Sequence, residues 1–136
     1  MNKLDGIILA IETKDSVSIV DVQVANRHLT ATILGSAQEI TQWKNGQKVS
    51  LYFSEMEVAI AKNLEGQISL RNRLLGIVTS ISRGDLLTRV TFDIDGHAIH
   101  SVITTRSANT LQLQIGDSVE GLIKSNEMNL QVMEQL

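Results

Sequence analysis

The chain has 136 residues, a mass of 14.9 kDa, no Pro, no Cys and an aromatic fraction of 3%, a size that suits one ordinary domain or two very small ones. With 43% apolar and 20% charged residues it is composed like a globular protein, which excludes disordered, collagen-like and disulfide-stapled chains. Twelve Lys and Arg against fifteen Asp and Glu leave a net charge of -3, the wrong sign for gripping nucleic acid phosphates with a whole surface, and the lack of Cys removes thiolate zinc sites, redox pairs and thiol nucleophiles.

At the N-terminus, MNKLDGIILAIETKD sets Asp5 and Glu12 around an apolar stretch too short for a signal core, and no apolar run in the chain reaches a membrane span. A cytoplasmic protein without membrane insertion is expected. GIILAIE, SIVDVQV and KVSLYF are short, β-branched and bounded by turn residues, so each predicts a strand. Before KVSLYF, Ser36 followed by Glu39 resembles a capping box and predicts a helical turn. Apolar alternation pauses at AKNLEGQ, residues 61 to 67, which marks a boundary. Beyond it LTRVTFDI predicts another strand, Asp95-Gly96 a hairpin turn, and Ser107 the N-cap of a second helical turn.

Sliding the sequence against itself by 70 positions, without a gap, matches Leu4 with Leu74, Gly6 with Gly76, Ile7 with Ile77, Ile11 with Ile81, Asp15 with Asp85 and Val20 with Val90. The register holds to the end, pairing Ile33 with Ile103, Gln42 with Gln112, Gly46 with Gly116, Val49 with Val119 and Glu57 with Glu127. A period this long is too large for a solenoid unit, so each copy is a small domain, residues 1–64 and 65–136. Short strands with one helical turn per copy predict an all-β fold of two tandem OB-like, five-stranded Greek-key barrels. So small a barrel buries little core, and pairing of copies or of chains is expected.

The second copy carries polar residues that the first lacks. ISLRNRLLG has Ser69, Arg71 and Asn72 where the N-terminus has only MNKLDG; Thr104 and Ser107 face Leu34 and Ala37 in the alignment; Lys124 and Ser125 face Ser54 and Glu55. Lys124 is the only Lys of the second copy and ends an apolar strand, where a charge needs a partner. Such a set suits a tetrahedral, doubly charged oxyanion, whose oxygens only accept hydrogen bonds while Ser, Thr, Asn, Arg and Lys donate. A helix N-terminus at Ser107 would add backbone N–H groups. On spacing alone Arg71 and Lys124 equally fit surface charges paired with Glu120 or Glu127, Ser107 fits a plain helix cap, and Thr104 and Ser125 fit ordinary strand positions.

The stretch SLRNRLLGIVTSISRGDLLTRVTFDI, followed by HSVITTRSANTLQLQIGDSVEGLIKSNEMNL, resembles the molybdate-binding Mop family of TOBE domains, with its S-x-R-N-x-L-x-G, threonine and serine cluster and L-I-K-[AS] in order. Residues 68 to 131 carry the resemblance closely, and residues 1 to 60 look like a degenerate second repeat, so the chain resembles a di-Mop unit of the molbindin kind. The resemblance implies an OB-like repeat, molybdate or tungstate as ligand, and sites at repeat or subunit contacts. It implies that Ser69, Arg71 and Asn72 come from one side of the pocket, with Thr104, Ser107, Lys124 and Ser125 from the other. It also implies a homo-oligomer, a trimer or alternatively a dimer, with fewer sites per chain than a symmetrical di-Mop protein.

Other constellations are weaker. His97 and His100 lie three apart, which on a strand sends them to opposite faces, so they are read as solvated rather than metal-binding. Asp93 and Asp95 around Gly96 lack the further oxygen ligands of a calcium loop. No metal site and no direct nucleic acid binding is expected. Neither a Ser-His-Asp order, a phosphate-cradling loop nor an acid–base pair stands out, so the chain reads as a binder, not an enzyme, with no catalytic residues and no organic cofactor. Storage or buffering of the oxyanion is the leading function. The alternative is the ligand-sensing module of a molybdate-responsive transcription regulator or of a molybdate transporter ATPase.

Overall fold

The computed structural model describes residues 1–35 and 40–133, so the Ser36 to Glu39 capping box lies outside the described residues. In chain order the strands are β1 (Asn2–Lys14), β2 (Val17–Val24), β3 (Arg27–Leu34), β4 (Lys48–Phe53), β5 (Ala59–Ala61), β6 (Asn72–Arg83), β7 (Leu87–Ile94), β8 (His97–Thr104), β9 (Ser118–Ile123) and β10 (Asn129–Val132). A helix α1 (Thr105–Thr110) follows β8, and 3-10 turns occupy Ile40–Gln42, Glu55–Glu57 and Ser125–Glu127.

The repeat seen in the sequence is a repeat of structure. Val20, Val22 and Val24 of β2 face inward at every second residue, as do Val90, Phe92 and Ile94 of β7, the period of a half-buried strand. The leading strands β1 and β6, of 13 and 12 residues, are longer than the short segments expected. Each breaks register once, between Ile8 and Ala10 in β1 and between Val78 and Ser80 in β6. A bulge bends and twists a strand, so one long strand can serve two ladders of a curled sheet. β6 pairs with β9 through its first half and with β7 through its second. At the crossing, Gly76 lies so close to the Asp93 carbonyl that a Cβ would overlap it, and Gly6 stands in the same relation to the Gln23 carbonyl. The hairpin turn expected at Asp95-Gly96 forms, with φ of 51° and 88°, and Asp93 Oδ2 accepts from the Gly96 N–H at 3.2 Å.

Two five-stranded antiparallel sheets result, of order β10-β4-β1-β2-β3 and β5-β9-β6-β7-β8. The fifth strands are exchanged. β5, from the first repeat, pairs with β9, and β10, from the second, pairs with β4. The compact units therefore do not coincide with the repeats at 1–64 and 65–136: one consists of Met1–Asn2 with Ser54–Ile123, the other of Lys3–Phe53 with the segment from Lys124 onward. The core residues follow the exchange. Val58 is buried with Leu74, Phe92 and Ile99 in the first unit, and its repeat equivalent Met128 is buried with Leu4, Leu51 and Phe53 in the second.

Candidate functional site

The β6–β9 ladder ends with Asn72 opposite Ile123. Arg71 precedes one member of this last pair and Lys124 follows the other, so the two cations singled out in the sequence leave the same end of one ladder. Both are exposed, as is Ser69 in the segment leading to β6. Lys124 has an extended backbone and stands at the cap position of the Ser125–Glu127 turn without a side-chain cap bond. Its repeat equivalent Ser54 does cap, accepting from the Met56 N–H at 3.1 Å. The ammonium of Lys124 is thus not used to close its turn.

The carboxylates suggested as partners are engaged elsewhere or unpaired with it. Glu120 accepts two guanidinium bonds from Arg73, both at 2.7 Å, and that contact holds its carboxyl below the ordinary range, more strongly than partial burial raises it. Among the described residues neither Arg71 nor Lys124 forms an ion pair.

Asn72 is fully buried at the start of β6. Its repeat equivalent Asn2 is also buried, donating from Nδ2 to the His100 carbonyl at 2.8 Å and accepting from the His100 N–H at 2.9 Å. A buried Asn is therefore common to both copies, and Asn2 bonds the backbone of His100 in β8.

Thr104 and Ser107 are brought together at the other end of the same unit. Thr104, not Ser107, is the N-cap of α1: its Oγ1 accepts from the Ser107 N–H at 3.1 Å and donates to Ser107 Oγ at 2.8 Å. The cap falls three residues earlier than expected because β8 runs extended to Thr104 and the helix begins immediately after it. Both hydroxyls are exposed and face a groove with Met56, Glu57, Leu87 and Ile103, while Arg106 and Ser107 line an adjoining cleft with Ile60 and Leu111. The neighbouring Glu55–Glu57 turn is acidic. Glu55 accepts from Arg89 Nε at 2.8 Å and from the Met1 amino group at 3.3 Å, and the Arg89 bond leads in holding its carboxyl low.

These two donor groups occupy opposite ends of β6. Asn72 opens the strand against Ile123, whereas Arg83 closes it against Thr88, beside the Leu87–Thr104 pair. The contour between them is about 36 Å at 3.3 Å per residue. Ser125 belongs to the other unit, where its Oγ lies 2.8 Å from Thr32 Oγ1. Thr32 does not stand out among the donors gained by the second copy. Comparison in the other direction finds it, since Val102 stands at its equivalent. His100, expected to be solvated, is half-buried, with Nδ1 2.8 Å from Thr91 Oγ1, and desolvation is the main cause holding its pKa low.

Two strand-exchanged OB-like units, with Arg71 and Lys124 forming no ion pair among the described residues, define a small all-β protein. The TOBE domain matches residues 68–130, a stretch that lies within the second repeat. Its fold is that of a cytoplasmic molybdate-binding protein, ModG, solved with molybdate bound: the TM-score is 0.91 at 24% identity, covering 97% of this chain and 96% of that one. Among curated relatives, the molybdenum import ATP-binding protein ModC of Brucella abortus is 30% identical over 123 residues, 90% of this chain. The molybdenum transport protein ModE of Herbaspirillum seropedicae is 35% identical over 72 residues, 52% of this chain. The chain spans 32% and 27% of the lengths of these two relatives.

Proposed function

We propose that this chain binds a tetrahedral oxyanion of the molybdate or tungstate type, with Arg71 and Lys124 as its counter-charges. The observation that carries the reading is their emergence from the same end of the β6–β9 ladder, exposed and without ion-pair partners among the described residues. A dianion gains most from cations that no internal carboxylate already neutralises. Ser69 and Ser125 add hydroxyl donors, and Asn72 acts by fixing the strand end. Molybdate named for ModG, and molybdenum named for ModC and ModE, support this choice of ligand.

Thr104 and Ser107 complete the pocket from a second copy of the chain. Within one unit they lie at the far end of β6 from Arg71, too distant to meet it around one small ion. The homo-oligomer is thus part of the proposal, as a trimer or alternatively a dimer, and the repeats at 1–64 and 65–136 then differ in the ligand residues they keep. The role is oxyanion storage or buffering inside the cell rather than catalysis. The ModC and ModE matches favour a second reading, in which the same pocket reports the anion to a transporter or regulator.

Calorimetric titration with molybdate, tungstate, sulfate and phosphate tests the class and its selectivity together. Saturable heat with molybdate or tungstate, and weaker heat with phosphate, is expected. No heat with any of the four overturns the reading.

A further inference from the structure

The contact between Thr32 and Ser125 places a hydroxyl from the first repeat against a hydroxyl that the oxyanion reading makes a ligand donor. The two oxygens are 2.8 Å apart and either can be the donor. A Ser hydroxyl has one proton. If Ser125 gave it to Thr32, it would present only lone pairs to the anion, and two acceptors repel. Anion binding therefore requires Thr32 to donate to Ser125 and Ser125 to donate outward.

We infer that Thr32 is a positioning residue that fixes the Ser125 proton toward the oxyanion and thereby selects anions that carry no proton of their own. This deepens the oxyanion reading and rests on it. Molybdate at neutral pH offers four acceptor oxygens and suits a donor held in one direction. Hydrogen phosphate brings an O–H that needs an acceptor, and Ser125 held by Thr32 has its proton committed to donation. A chain of two hydroxyls also polarises the terminal one, strengthening its bond to a charge. The relay exists in one unit alone: at the equivalent places of the repeat stand Val102 and Glu55.

Thr32→Val removes the donor while keeping the shape, and Val at position 102 shows that the equivalent strand position accepts it. With the 136-residue chain, molybdate affinity should fall about threefold to tenfold, phosphate affinity should hold or rise, and the molybdate-to-phosphate ratio should shrink. Thr32→Ser should restore both. In a Ser125→Ala background, Thr32→Val should have no further effect on either anion. Loss of affinity for both anions alike, or an equal loss without the Ser125 hydroxyl, would mark Thr32 as merely structural and overturn the relay. Molybdate binding that Thr32→Val leaves unchanged overturns the relay alone, whereas no molybdate binding by the unaltered chain overturns the oxyanion reading and the relay together.

Discussion

Lys124→Ala separates a binding role from a folding role. The side chain is exposed, caps nothing in the Ser125–Glu127 turn and forms no ion pair among the described residues. Its removal should therefore change folding stability by no more than about 0.5 kcal/mol, the usual range for a surface site without such features. Binding should respond differently. Truncating one partner of a charge pair that becomes desolvated costs about 2–4 kcal/mol, because the anion is left under-neutralised. At 1.4 kcal/mol per decade, that is a loss of about 30-fold to 700-fold in molybdate affinity. Calorimetry gives the affinity, and urea unfolding without anion gives the stability. Arg71→Ala should behave alike, since it leaves the same ladder end equally unpaired. Unchanged affinity in both variants with the fold retained would show that the site lies elsewhere. A stability loss above about 1 kcal/mol would refute the argument that Lys124 has no structural partner.

If the pocket closes between copies, molybdate should shift sedimentation toward the larger species and raise the melting temperature by mass action; a chain that remains a monomer and still binds tightly would refute the shared pocket. Gly76→Ala should destabilise by about 2 kcal/mol or more in urea unfolding, because the new Cβ meets the Asp93 carbonyl and backbone cannot yield cheaply; a change under about 0.5 kcal/mol would mean the crossing is loose. Glu120 has a depressed folded pKa, set first by Arg73, so its contribution is present above the unfolded value of about 4.3 and lost as pH falls through the folded one. Glu120→Gln should flatten the stability curve below about pH 5, and an unaltered curve would show the pair to be energetically silent. The lowered pKa of His100 has the same sign: stability should decline as pH falls below about 6.5, and a His100→Gln variant should lose that limb.

The two copies, their strands and the residues that differ between them are legible in the chain because each rests on local periodicity or direct comparison. Alternation in SIVDVQV and LTRVTFDI reports which face is buried wherever the strand ends up, and Asp95-Gly96 specifies its turn through its own backbone preferences. Arg71 and Lys124 stand out as cations at strand ends for the same reason. Tertiary structure alone decides which sheet receives β5 and β10. Both repeats present a similar open edge and a similar short fifth strand, so local pattern does not distinguish a strand that stays from one that crosses. That exchange carries Ser125 to Thr32 and leaves Thr104 and Ser107 beside the acidic Glu55–Glu57 turn. The burial of Asn72, the capture of Glu120 by Arg73 and the cap at Thr104 depend likewise on neighbours brought together by pairing or by where a strand stops. Sequence spacing fixes the order of donors along the chain, but only long-range strand pairing fixes which of them can reach the same ion.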